Sequence, residues 1–391
     1  MNSMRRASIL TPSSLLLKMT ANLLWKSIPL SPVELSLARV LRCGQTFRWK
    51  NVDSVWSFTA NGQIILLKQD SSHLHYACIL PDDQSSSSGI SKAYETTREF
   101  IHDYFNLNVK LKELYAQWAE VELKYRSKSR AVSFATFPGI RILRQDPWET
   151  VVSFICSSNN NVKRISKMCD ALCQEFGTYI NDYDDHAYFT FPEPAALAGP
   201  DVEQKLRDLG FGYRAKYINQ TAKLFMNPEI PEITMETLHA QRQKSYEDAH
   251  EYLLQLSGVG PKVADCICLM ALDKHDVVPV DTHVLQIATR DYKYKGPKTM
   301  NKVSYHQVRL HLQKLFGKYA GWAQSVMFAA DLSDLNNGIN QKDGVRVKHE
   351  VKIEQDPSTK SEDASVKAET IEISTELASS GPKLKRIKVE A

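Results

Sequence analysis

Across residues 46–80 the apolar positions alternate. Phe47 and Trp49 are separated by polar neighbours, and Asn61-Gly62 stands between two β-prone runs. Alternation is the period of a half-buried strand, and Asn-Gly is the strongest short hairpin signal. The stretch predicts an antiparallel β meander, closed by a polar, serine-rich loop at 82–89. From about Thr97 to Asp334 the pattern becomes helical. After Asn161, Val162, Ile165, Met168, Leu172 and Phe176 recur at three- and four-residue spacing, with Gly177 as a stop. Further helices are expected near 203–209, 246–256, 263–272, 282–291 and 319–332. Beyond about Asn337 the chain is charged and poor in aromatics, lacking the apolar surface to offset ordering entropy. The expected class is α+β: a leader (1–24), an N-terminal antiparallel β domain with flanking helices (25–136), a mainly helical region (137–336) and a disordered charged tail (337–391).

Composition narrows this picture only a little. The 391 residues, 43% of them hydrophobic, suffice for two or three domains with a sizeable core. No uninterrupted apolar stretch is long enough to cross a bilayer, which argues against a spanning helix and a membrane partner. The formal charge is +4, from 49 Lys/Arg and 45 Asp/Glu. Residues 341–391 hold ten of each sign, so the excess sits on the part expected to fold. So mild a charge permits a nucleic-acid partner without requiring one. Seven cysteines, an odd number mostly in apolar runs, read as reduced intracellular thiols. Glu34 is the first acidic residue, while Arg5, Arg6, Lys18 and Lys26 precede it among serines and leucines. That leader reads equally as an organellar presequence or as an unstructured segment, and Met19 offers a second start.

The candidate chemistry lies in Leu256-Ser257-Gly258-Val259-Gly260-Pro261-Lys262-Val263-Ala264-Asp265. Gly258 and Gly260 between helical segments allow a tight turn and a close approach of backbone N–H groups to a phosphate, aided by the positive end of the next helix. A plain helix-turn-helix corner is the alternative for a lone Gly-x-Gly. The apolar Leu256, Val259 and Val263 supply a hairpin core that favours phosphate clamping. Lys262 opens the second helix, where the helix end and a partly dry pocket are expected to lower its pKa towards a usable nucleophile. Asp281 follows Val277-Val278-Pro279-Val280 and precedes a helical pattern at Thr282. There it serves as an N-cap, and an ionised cap can also stabilise positive charge developing on a sugar.

With these residues in place, the stretch resembles the helix-hairpin-helix, Gly-Pro-Asp glycosylase superfamily, Lys262 matching its Schiff-base lysine and Asp281 its aspartate. A longer match, from about Trp25 to Leu335, is to the eukaryotic 8-oxoguanine DNA glycosylases. It is carried by Cys43-Gly44-Gln45-Thr46-Phe47-Arg48-Trp49, by Ser153 to Asn161, by Leu209 to Ala215 and by Tyr319 to Gln324. The resemblance implies a helix-hairpin-helix glycosylase with AP lyase activity acting on 8-oxoguanine, and on ring-opened oxidised purines, opposite cytosine in duplex DNA. It assigns to Gly44 a carbonyl that accepts from the N7 hydrogen of the oxidised base, which guanine lacks. Gln324 would read the Watson–Crick edge, Phe328 would stack on the base, and Cys266 would form the opposite wall. Asn159, Arg164 and Arg214 would contact the unpaired cytosine, Tyr213 would wedge the opened stack, and His283 would contact a phosphate. No cofactor is implied beyond a structural cation at the hairpin. The absence of cysteine after Cys268 argues against the relatives that carry a four-cysteine iron–sulfur cluster. Retention of both Lys262 and Asp281 argues against a non-catalytic DNA-binding hairpin.

In the tail, Lys348, Lys352, Lys367 and Lys388 sit in hydrophobic-Lys-x-Glu patterns of the kind used for SUMO conjugation. Lys383, Lys385, Arg386 and Lys388 form a basic cluster that suggests nuclear import. The expected location is the nucleus, with a mitochondrial share if the leader is a presequence, and the expected state is a monomer.

Overall fold

The computed structural model describes residues 23–84, 86–125 and 133–331. Residues 1–22 of the leader, and the tail with its SUMO-type lysines and basic cluster, lie outside the described residues.

Asn61 and Gly62 both take positive φ, 53° and 70°, as a two-residue hairpin turn needs. They join β3 (Val55–Ala60) to β4 (Gln63–Gln69). With β1 (Lys26–Pro29), β2 (Lys50–Val52) and β5 (His73–Ile79) these form one antiparallel sheet in the order β1-β5-β4-β3-β2. Its two faces are covered differently. Ile65 and Leu67 pack with Tyr94, Ile101 and Tyr104 of the helix Ser87–Tyr104, whereas Ile64 and Leu66 pack with Ile180 and Tyr188. Those last two belong to a second hairpin, β6 (Tyr179–Tyr183) and β7 (His186–Phe189), turning through Asp184 and Asp185 at positive φ. This hairpin corrects the expectation of unbroken helix after Thr97. The apolar run Ile64–Leu67 within β4 needs cover on both faces, and a return of the chain supplies the second one.

The helical region contains, among others, Pro147–Ser157, Val162–Phe176, Arg214–Phe225, Tyr246–Leu254, Pro261–Ala271, Thr282–Asp291, Lys302–Phe316 and Ala320–Asp331. Side-chain caps fix several starts: Asp146 accepts from Glu149 N at 2.8 Å, Asn161 from Arg164 N at 3.0 Å and Ser245 from Asp248 N at 3.1 Å. Leu111, Tyr115 and Trp118, in the stretch grouped with the β domain by sequence, pack into the core of this helical region.

Phe47, Arg48 and Trp49 stitch the two parts together. Phe47 meets Phe154 edge-on in the helical core, with ring centroids 5.7 Å apart, while Trp49 stacks on Phe58 in the sheet core at 4.7 Å. The residue between them is buried rather than solvated. Arg48 donates from Nε and NH2 to the two Glu149 carboxylate oxygens at 2.8 and 2.6 Å, and from NH1 to Thr59 Oγ1 at 2.6 Å. The alternation therefore divides two cores, with a paired charge between them. Removing one member of a buried pair strands the other. Glu149→Leu is expected to cost about 3–5 kcal/mol in urea unfolding, and Arg48→Met added to it to recover most of that loss. Equal losses in the single and double variants would contradict this account.

Candidate active site

The helices Tyr246–Leu254 and Pro261–Ala271 are joined by the turn 255–260, whose Leu256 and Val259 are buried together with Val263. Gly258 has φ +82°, and a Cβ there would fall 2.7 Å from the Cβ of Tyr217. Thr221, on the same helix as Tyr217, donates to the Ser257 carbonyl at 2.9 Å. The hairpin is thus clamped against Arg214–Phe225. Gly260 has an ordinary φ of −96° and lies in open space. It offers no side-chain cap, so the first-turn N–H groups of the Pro261–Ala271 helix remain available to an outside acceptor.

Lys262 is the second residue of that helix and is half-buried. Its pKa is raised, not lowered as the sequence led us to expect. Cys266, one turn further along, and the charge of Asp281 hold the proton on it and outweigh the opposing effect of burial. Burial in turn pushes the Cys266 thiol up, with the Lys262 ammonium opposing. Near neutral pH Cys266 is therefore a thiol beside an ammonium, and its full pull on Lys262 develops only at alkaline pH. Asp281 caps Thr282–Asp291, accepting from Val284 N at 2.9 Å. Lys262, Cys266 and Asp281 thus form one interacting group.

His283, exposed in the first turn after Asp281, meets Phe328 edge-on with centroids 6.1 Å apart. Phe328 and Gln324 lie four residues apart on Ala320–Asp331, whose start is tied down by Gly321 N donating to the His275 carbonyl at 3.1 Å. Gln324 is buried, only 7% of its surface exposed.

A second cluster joins the loops at 158–161 and 209–213. Arg214 is buried and donates from NH2 to the carbonyls of Ser158 and, at 3.1 Å, Asn159, while its Nε has no partner. Tyr213 is 47% exposed, and its hydroxyl donates to the Ser158 carbonyl at 3.0 Å. Arg164 donates to the Gly210 carbonyl at 3.1 Å, and Asn159 is exposed with φ +48°. Gly44, at φ +85°, adjoins this group: a Cβ there would lie 3.9 Å from Val162 Cγ2.

Sequence reasoning passed over Asp265. It is fully buried on the Lys262 helix and bonded to tyrosines of two other helices. A lone aspartate within Val263-Ala264-Asp265-Cys266-Ile267 was the available signal, since an unpaired carboxylate is hardly ever buried.

Comparison with known proteins gives two adjoining family matches. The profile described as 8-oxoguanine DNA glycosylase, N-terminal domain, matches residues 27–151, and that described as HhH-GPD superfamily base excision DNA repair protein matches 152–316. The chain is 39% identical over 326 residues to an N-glycosylase/DNA lyase of Saccharomyces cerevisiae, covering 76% of this chain and 84% of that protein. It is 34% identical over 313 residues to N-glycosylase/DNA lyase OGG1 of Arabidopsis thaliana, covering 79% and 80%. Its fold is similar to the Clostridium acetobutylicum 8-oxoguanine glycosylase/lyase in complex with double-stranded DNA containing cytosine opposite 8-oxoG. There the TM-score is 0.62 and the identity 26%, over 78% of this chain and 93% of that one.

Two measurements probe the site without reference to substrate. Gly258→Ala is expected to lose about 1–3 kcal/mol in urea unfolding, because the new methyl group adds backbone strain and meets Tyr217; wild-type stability would refute the clamp. Cys266→Ala is expected to lower the pH at which Lys262 loses its proton, followed by NMR of the labelled lysine side chain. An unchanged or higher titration point would show that Cys266 does not hold the proton.

Proposed function

The chain belongs to the 8-oxoguanine DNA glycosylases of the HhH-GPD base excision repair superfamily, and on that basis we propose how its residues carry out excision. It is a bifunctional DNA glycosylase and AP lyase that removes 8-oxoguanine paired with cytosine from duplex DNA. Ring-opened oxidised purines belong to the same substrate class.

The lesion is turned out of the stack, because C1′ and the glycosidic bond are out of reach within the duplex. The Lys262 amine attacks C1′, the bond to the base breaks, and the base leaves with its electron pair. The ring-opened sugar is then held as a Schiff base. Loss of a C2′ proton expels the 3′ phosphate by β-elimination, and water hydrolyses the Schiff base to free Lys262. Attack requires loss of the lysine proton, a proton that the nearby charge of Asp281 favours, so deprotonation is a separate step of the reaction. Asp281 supports the positive charge that grows on the sugar as the base departs. The observation that carries this reading is the half-buried Lys262 interacting with Asp281 at the uncapped start of a helix.

Recognition is assigned to other groups. The Gly44 carbonyl accepts from N7–H of the oxidised base, Gln324 pairs with its Watson–Crick edge, and Phe328 and Cys266 flank it. The placement of Gln324 and Phe328 one turn apart on the Ala320–Asp331 helix, with His283 edge-on to Phe328, supports that assignment. Asn159, Arg164 and Arg214 meet the orphaned cytosine with Tyr213 as the wedge, and their gathering at the loops 158–161 and 209–213 supports that task. His283 and the N–H groups around Gly258 and Gly260 take phosphates. No cofactor enters the scheme. A cation at the hairpin would depend on carbonyls not already engaged, since those of Leu256, Ser257 and Gly260 accept hydrogen bonds within the protein. From sequence patterns alone the proposal extends to a nuclear monomer with a mitochondrial share, SUMO-conjugated at Lys348, Lys352, Lys367 and Lys388.

Borohydride trapping on duplexes with 8-oxoguanine opposite each normal base is the test. Wild-type protein is expected to form a covalent adduct, most with cytosine opposite the lesion, and Lys262→Gln none while still binding the duplex. An equal adduct with Lys262→Gln would sink the mechanism.

A further inference from the structure

Gln145 and Arg242, which close the last carbonyls of the Pro261–Ala271 helix, also line a cavity of about 490 Å³. It lies between the sheet, the β6-β7 hairpin and the helices Pro147–Ser157 and Met235–Ala240. Lys262 stands at the other end of the Pro261–Ala271 helix, about 14 Å away along its axis at 1.5 Å per residue. None of the residues assigned above to excision lines the cavity. Its volume is that of a small-molecule site.

One part of the lining is aromatic. The Phe100 ring lies 6.1 Å from that of Phe58 and 4.8 Å from that of Tyr104, centroid to centroid, at 21° and 25° to their planes. Near-parallel rings give a flat apolar surface of the kind on which a planar molecule stacks. Phe191 and Met235, both half-buried, add further apolar lining. The charged part is balanced. Arg48 is paired with Glu149 at 2.6 Å and Arg144 with Asp103 at 2.7 Å. The other charged or titratable groups are Asp146, Glu193, Arg242 and His239, whose Nε2 stands 3.5 Å from Asp146 Oδ2. Arg242 gives Nε and NH2 to the carbonyls of Ala271 and Gln145, each at 2.8 Å, so these two bonds leave its charge in place. The cavity therefore favours neither an anion nor a cation, yet it presents a guanidinium donor and carboxylate acceptors beside an aromatic surface.

We propose that this cavity is a second binding site, separate from the excision site, for an uncharged planar heteroaromatic molecule whose edge carries both donors and acceptors, the chemistry of a nucleobase or nucleoside. The aromatic rings take its face. Arg242 donates to a ring nitrogen or carbonyl on its edge, and Asp146 accepts from an amino or ring N–H. A phosphate on the same molecule would meet Asp146 and Glu193 as well as Arg242, and so gain no net attraction. A molecule seated here touches Arg242, the residue that completes the far end of the helix carrying Lys262.

The test titrates adenosine and guanosine separately into the full-length protein with isotope-labelled methionine methyl groups. Met235 reports on the cavity, and Met327, next to Phe328, reports on the excision site. At least one nucleoside is expected to shift the Met235 signal saturably, with calorimetry giving the same Kd. Ala60→Trp and Met235→Trp each fill the cavity while leaving its polar groups in place. Both are expected to abolish this binding and to excise 8-oxoguanine at the wild-type rate. The free base of the nucleoside that binds, run alongside it, separates the two sources: equal Kd assigns the site to the base, and weaker binding of the base assigns it to the nucleoside. No Met235 shift with either nucleoside, or a shift at Met327 with Met235 unmoved, would overturn the proposal. So would undiminished binding in a filled variant, or tighter binding of the corresponding 5′-monophosphate. Should both filled variants fail to fold, the Met235 and Met327 signals of the wild-type protein still decide the matter.

Discussion

A helix buried on every side tolerates no unsatisfied polar group, and the Pro261–Ala271 helix imposes that constraint on its surroundings. From Val263 to Ala271 all of its residues are buried, and only the first turn reaches the surface. Its C-terminal end is completed from outside: the Met270 carbonyl accepts from Gln145 N at 2.9 Å and the Ala271 carbonyl from Arg242 Nε at 2.8 Å. Asp265 is completed by two tyrosines. Closed at one end and along its flanks, the helix leaves only its uncapped start open, and Lys262 stands there. The reactive position is thus fixed by polar groups at some distance from it.

Charge burial serves a related purpose where the two cores meet. Arg48 and Glu149 satisfy each other across the boundary between sheet and helices, with Thr59 taking a further guanidinium donor. Such a pair adds little net stability over apolar residues, yet it accepts only one geometry. It sets how the segment after Gly44 enters the sheet, and so bears on where the Gly44 carbonyl can point. The two positions draw on separate supports: Lys262 on the buried helix, Gly44 on the connector between the cores.

The lysine itself qualifies a common expectation. Burial disfavours an ammonium, but the sulfur of Cys266 and the charge of Asp281 outweigh it. The surroundings of Lys262 favour its ammonium form over a free amine.

Local pattern was enough to determine much of this protein. The Asn61-Gly62 hairpin, the helix after Asn161, the glycine turn before Lys262 and the cap at Asp281 each depend on residues near in sequence, where backbone geometry and side-chain chemistry act over a few positions. The α+β class followed from the change of period between the meander and the helices. What the pattern left open depends on contacts between distant residues. Arg48 looked like the polar side of a strand, and only Glu149, far along the chain, explains its burial. The β6-β7 hairpin is short, and its apolar contacts become meaningful once β4 lacks a cover. Asp265 looked incidental until Tyr246 and Tyr305 closed on it, and the raised pKa of Lys262, set first by Cys266 on its own helix, also draws on Asp281, the cap of another helix. Propensity and capping are decided by sequence neighbours. Burial, pairing and proton affinity are decided by whatever the fold brings within a few ångströms, and only the tertiary structure settles that.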